Sequence, residues 1–411
     1  MENLRMETYA NSGKNAMLGQ NKNKLHEAVN WLCFIAFMIF YAGTWTFPWF
    51  YHVTEIYNSL IIFAVLAILF LNNFEWSWIR DKSLYILIFT GMLAFANLFI
   101  IGSNKGAILI LADFLLIWYM TPKLRITSVQ FRTLEIFFVL MFLSWFIYDR
   151  AFFYNANTGA TVTVFTFFAA LPLINSFIKK KEIYGFFLVL FMLRTLTLVL
   201  WHLARGAFIA LALYLIFYYL VPKRWWDKRP WLACISIFST LGSLVFVGFY
   251  VWLGSTGFNL KLPFFYKNIF SGREQIWLEV WDILKLKLIT GIGSGVALKS
   301  FFEYNIHNAM YDILAVHGLL VFVLSLVLII PRLLKISLKG DTRRLTATAG
   351  LFAIFIESFI DMDLMWADYS PILFFLLLEI YRESDTESPA LNKGFQLLKV
   401  SALFPKAGAK T

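Results

Sequence analysis

Three basic residues, Arg205, Arg273 and His307, stand in short polar islands of an apolar chain: "WHLARGAFIALA", "SGREQIW" and "YNIHNAMYDILAVHGLL". Arginine stays charged, and its planar fork meets phosphate oxygens two at a time, whereas histidine exchanges a proton near neutral pH. Together they suit a phosphate leaving group and a hydroxyl nucleophile. Their neighbours His202, Trp277 and Asn308 are candidates for lining a bound substrate, His202 on location alone. Arg194 lies within an apolar run, where an arginine costs about 2.5–3.5 kcal/mol on insertion scales and so needs a partner or a polar cavity.

Each residue also has a plainer reading. Arg205 could be an interfacial anchor, Arg273 a helix-end charge, and His307 with Asn308 a loop cap. His317, further along the same run, lies about 15 Å deeper at 1.5 Å per residue and reads as a buried, hydrogen-bonded histidine. His52 has only its location in its favour. Asp361, Asp363 and Asp368 in "IDMDLMWADYSP" could bind a divalent cation or orient an acceptor; the preferred reading is that they solvate a tight turn. The sequence holds no HExxH pattern, cysteine cluster, P-loop or dinucleotide-binding glycine motif, so neither a metal nor a cofactor is expected. Cys33 and Cys234 fall in apolar runs and read as packing residues.

The elements that must hold these residues are membrane helices. Of the 411 residues 60% are hydrophobic and 15% charged, and 45 are phenylalanine, which no soluble surface could accommodate. Apolar runs at about 28–48, 56–72, 83–101, 105–121, 132–149, 158–178, 184–201, 205–221, 230–252, 308–331, 343–361 and 368–382 predict twelve spans, a bilayer core needing roughly 17–25 residues. The expected fold is one all-α polytopic membrane domain. Residues 1–27 are polar, lack a cleavable signal and form one tail, and 383–411 form the other. Most of the 36 Lys and Arg fall in these tails and in alternate loops, which places both termini in the cytoplasm. The net charge of +11 belongs to those loops, and no nucleic-acid partner is expected.

One long outer segment, 253–307, separates spans 28–252 from spans 308–382. Within it Ile276, Trp277, Val280, Trp281, Leu284 and Leu288 recur at helical spacing, predicting a surface helix over 272–288 and then a glycine turn at Gly291, Gly293 and Gly295. Arg273 shares a stripe with Trp277 and Trp281 that should face the membrane body. Arg205 heads the span after a very short outer connection, and His307 closes the long loop, so all three bases are expected in one outer plane.

Taken in order, "ARGA" at the head of a span, "SGREQIW", "GIGSG" and "HNAMYDILAVHGLLV" resemble the O-antigen ligase and polysaccharide polymerase superfamily over roughly residues 190–382. "YNANTGATV", residues 154–162, is similar to an asparagine-rich segment of such polymerases. Ala204 stands where many members have serine, so that hydroxyl is missing. The resemblance implies a GT-C-like fold whose surface helix roofs a cavity open to lipid, in a bacterial cytoplasmic membrane with the site on the outer face. It implies a metal-independent, inverting glycosyltransferase that moves a glycan from a polyprenyl-diphosphate carrier to a hydroxyl. It also makes Arg205 and Arg273 the diphosphate-binding arginines and His307 the general base. A polymerase, whose acceptor is a carrier-linked repeat unit, is expected; a ligase to lipid A–core is the alternative. A transporter or lipid flippase, in which Arg194 would matter most, is the alternative of another class. The implied partners are the carrier-linked oligosaccharide, an acceptor glycolipid and the bilayer, with a chain-length regulator as a candidate protein partner.

Overall fold

A computed structural model of the chain describes residues 2–382 apart from 104, 148–155, 179–180, 259, 263–264, 266, 271 and 300–305; Tyr154, Asn155 and the expected 383–411 tail lie outside the described residues. The first half runs through α1 (Glu2–Thr46), α2 (Pro48–Thr54), α3 (Asn58–Asn73), α4 (Lys82–Ile100), α5 (Lys105–Met120), α6 (Ser128–Ile147) and α7 (Ala156–Phe177). It continues with α8 (Lys181–Trp201), α9 (Arg205–Leu215, prolonged by a π-helical turn to Leu220), α10 (Arg229–Ser255) and α11 (Arg273–Leu284). The last three are α12 (Ala309–Leu333), α13 (Thr342–Glu357) and α14 (Ser370–Tyr381). The only strands among the described residues are Lys261–Leu262 and Lys267–Asn268, a short antiparallel pair leading into α11.

Each of the twelve apolar runs contains a helix, but not every one of these helices is long enough to match an expected span. Among the described residues, eight helices are long and apolar enough to cross a bilayer, or nine if α2 and α3, which meet at a 78° bend, form one span. In α9, α13 and α14 there are 11, 16 and 12 residues of α-helix, short of the roughly 17–25 that a span needs. Hydropathy does not reveal where a helix stops. α13 ends at Glu357 because the chain then turns, and α14 starts only at Ser370, where Pro371 suits a first turn that has no hydrogen bond to donate. By helix length and composition the fold is compatible with a polytopic membrane protein.

The apolar side chains are distributed as a lipid-facing surface would require. α7 is 89% buried over its apolar window and packs against α6, α9 and α13, whereas the same measure is 28% for α4 and α8, which turn Phe95, Phe99, Phe186 and Val189 outward. Cys33 packs inside as expected, but Cys234 lies on the exposed face of α10.

α12 is broken at Gly318, whose φ of 83° and ψ of 171° are not helical. The break admits the glycine turn after α11. Ile292 and Gly293 donate backbone hydrogen bonds to the carbonyls of Ala315 and Val316, and Leu319 donates to Leu288. A β-carbon on Gly318 would lie 2.2 Å from the Ile289 carbonyl oxygen, so two backbones cross where only glycine fits. Asn97, near the end of α4, fastens the crossing by donating to the carbonyls of Thr290 and His317.

At the start of α13, Arg343 bonds Glu135 of α6 and Glu379 of α14. Nearby, Lys123 and, from the last turn of α12, Arg332 gather around Asp81, the N-cap of α4. This ionic end lies one α13 length, about 24 Å at 1.5 Å per residue, from the cluster at the other end of that helix.

Candidate functional site

Arg205 is the first residue of α9, after a turn in which Leu203 takes a left-handed φ of 53°. Ala204 at the N-cap supplies no side-chain hydrogen bond, the consequence of lacking a hydroxyl there. The Arg205 guanidinium is partly buried and donates to the Ile269 carbonyl (3.2 Å), which also accepts from the Tyr250 hydroxyl (2.7 Å). Those contacts hold the chain just ahead of Arg273, and the two guanidinium charges feel one another. Gly206 is required by close approach: a β-carbon there would lie 2.5 Å from Glu357 Oε1.

Arg273 opens α11, behind Gly272 in a left-handed conformation (φ 86°). The buried face of α11 is Ile276, Trp277, Val280 and Leu284. Trp281 is 45% exposed, which corrects the expected inward stripe. Steps of four residues overshoot a 3.6-residue turn, so the face rotates away by the second step. Trp277 is fully buried and its indole N–H donates to the Ile306 carbonyl at 2.5 Å, making it a support for the segment before His307 rather than a surface open to substrate.

His307 has a left-handed φ of 51°, uncommon for a residue with a side chain. Asn308 holds it there. Its Oδ1 accepts from the Tyr311 backbone N–H (2.9 Å), capping α12, and from the Ser243 hydroxyl (2.8 Å), while its Nδ2 donates to the Phe359 carbonyl (2.8 Å). Ala309 N donates to the Ser358 carbonyl. Asn308 is thus buried and engaged in capping and cross-linking, not presented to a ligand as expected. These bonds fasten the start of α12 to the turn after α13.

That turn carries the residue which unites the site. Asp361 Oδ1 lies 3.5 Å from His307 Nδ1, and its Oδ2 lies 3.7 Å from an Arg273 guanidinium nitrogen. Burial would raise the Asp361 carboxyl, but the hydrogen bond from His307, the Arg273 charge and the Met362 N–H outweigh it and hold the carboxylate below its usual range. Asp363 is held well above that range by burial and by the charges of Asp361 and Glu357, against the opposing Arg273 charge and the Thr161 hydroxyl hydrogen bond. Asp368 is buried and accepts from Asn58 Nδ2 (3.2 Å). The three aspartates therefore do not simply solvate a turn: each has a partner inside the fold.

The remaining candidates lie in other surroundings. Arg194 donates from Nε to the Phe146 carbonyl at the end of α6 (3.1 Å), a helix-capping contact that accounts for an arginine in an apolar run. His202 sits partly exposed in the α8–α9 turn. His317 is buried beside the α12 break and hydrogen-bonded to the backbone of Ala107, while His52 is exposed near Glu55. Glu357, fully buried at the end of α13, was not singled out in the sequence because it reads as the last polar punctuation of an apolar run. Beside the cluster, Ile209, Phe238, Val245, Phe249, Ile356 and Ile360 line an open apolar groove of about 430 Å³ between α9, α10 and the end of α13. No protein family, curated protein or solved structure matches this chain.

Proposed function

We propose that the protein is a membrane glycosyltransferase, moving a glycan from a polyprenyl-diphosphate carrier to the hydroxyl of a carrier-linked repeat unit on the outer face of a bacterial cytoplasmic membrane. The observation that carries this reading is the convergence of Arg273 and His307, from separate elements, on Asp361, with the charge of Arg205 alongside. Two arginines offer forked donors to a diphosphate and meet the charge that develops as it leaves, the work of a preorganised electrostatic site. In this reading the transfer chemistry needs no metal on the phosphates. His307, oriented by Asp361, takes the proton of the attacking hydroxyl as its oxygen bonds the anomeric carbon, and the glycosidic carbon–oxygen bond to the diphosphate breaks with inversion. The contacts of Asp361 are long, as catalytic hydrogen bonds often are without substrate.

The apolar groove supports a lipid-linked donor, because Ile209 lies one turn beyond Arg205, so a hydrocarbon chain in the groove would bring an attached diphosphate to the arginines. The same reading takes the helical chain as GT-C-like and, from the distribution of Lys and Arg over alternate loops, places both termini in the cytoplasm. Arg194 donates to the Phe146 carbonyl at the end of α6, a structural contact that favours this reading over a transporter.

The test is product formation by purified protein supplied with a polyprenyl-diphosphate oligosaccharide, comparing wild type with Arg205→Ala, Arg273→Ala and His307→Ala. A ladder of carrier-linked products that each substitution abolishes is expected. Transfer only when lipid A–core is added would make the protein a ligase, and inertness with both acceptors would remove the reading.

A further inference from the structure

Glu357, Asp361 and Asp363 each place one carboxylate oxygen within 4.8 Å of the others. Acidic residues gather for many reasons, but two independent features here call for a ligand. Glu357 is fully buried, and neither of its carboxylate oxygens has a hydrogen-bond partner. The Tyr369 hydroxyl is also buried and without a hydrogen-bond partner, and it feels the charge of all three carboxylates. Nearby bases do not resolve this, because Arg273 and His307 both address Asp361, and the Arg273 charge reaches Glu357 only through space. Space beside Glu357 is tight: the backbone of Gly206 approaches so closely that a methyl group would collide with Oε1. A small ion fits these constraints where an organic group does not.

We propose that Glu357, Asp361 and Asp363, with the Tyr369 hydroxyl as a fourth oxygen, bind a divalent cation of calcium's size. An all-oxygen donor set selects hard cations over zinc or copper. Calcium–oxygen distances of about 2.3–2.6 Å let two ligands of one ion stand up to roughly 4.6–5.2 Å apart, so oxygens that all lie within 4.8 Å of one another can share one calcium without rearrangement. Magnesium, at about 2.0–2.1 Å, would need opposed oxygens to close to about 4.0–4.2 Å. The cation ties the end of α13 to the turn carrying Asp361 and so fixes the carboxylate that faces Arg273 and His307. This site requires no particular reaction, and its test is independent of the proposed transfer.

The experiment is a titration of full-length, detergent-purified, chelator-treated protein with terbium, whose emission is sensitised by Tyr369 and by Trp45, 5.1 Å from it. Saturable emission displaced by calcium, and by magnesium only at much higher concentration, is expected. Glu357→Gln and Asp363→Asn should each weaken terbium binding by more than about tenfold, whereas Asp282→Asn on the exposed side of α11 should leave it unchanged. Absence of saturable emission, emission indifferent to both substitutions in protein that still elutes as one species, or magnesium competing as well as calcium would overturn the proposal. Should neither variant fold, the wild type decides: calcium must raise its melting temperature where magnesium does not, and failure to do so would equally overturn it.

Discussion

His307 concentrates the local chemistry of the site. Its left-handed backbone costs about 1–2 kcal/mol, and the Asn308 bonds to Ser243, Phe359 and Tyr311 hold it in place. The types and spacing of Arg205, Arg273 and His307 were legible in the sequence because each interrupts apolar surroundings. In the sequence Asp361 reads as turn chemistry, since its partners lie far away along the chain and only folding brings them near. Asp361→Asn keeps the volume and the acceptor for Met362 N–H while removing the charge between Arg273 and His307. Its transfer rate should fall by about 10²–10⁴-fold, with less change in KM, as measured by initial rates. A variant as fast as wild type would take Asp361 out of the reaction. Arg273→Lys keeps charge but loses the fork, and a drop of about 10²–10³-fold in kcat is expected in the same assay.

Between elements, the decisive contact is the crossing of the post-α11 turn through the break in α12. The glycines of "GIGSG" predicted a turn, but nothing in the sequence paired that turn with Gly318, because a backbone crossing is written in two distant segments. The crossing and the Trp277–Ile306 bond together set how α11, and hence Arg273, sits against the start of α12. Gly318→Ala would combine a positive φ with a clash against the Ile289 carbonyl, whereas Gly340→Ala meets a similar φ (77°) in open space. The first should destabilise the fold by more than about 3 kcal/mol and the second by about 1 kcal/mol. Chemical unfolding in detergent, monitored by tryptophan fluorescence, can compare them. Equal losses would mean that the close approach is relaxed in solution.

Over the whole molecule, the division into two ends follows from charge. α13 begins with Arg343 between Glu135 and Glu379 and ends with Glu357 beside Arg273 and Asp361, so one buried helix links an ionic anchor to the candidate site. Each of the twelve apolar runs holds a helix, yet hydropathy could not give the helix ends or show that α9 and α13 meet α10 around an apolar groove. That groove carries the last prediction. Val245 is 72% exposed on the groove wall, so Val245→Trp can fill the space without disturbing the core. A donor whose isoprenoid chain is long enough to occupy the groove should then bind about tenfold more weakly, equivalent to about 1.4 kcal/mol. A short-chain diphosphate donor that reaches only the arginines should be used as before. The measurement is KM for the two donors at saturating acceptor. A loss shared equally by both would point to damage at the arginine–histidine cluster, and no loss with either would show that the lipid chain follows another path.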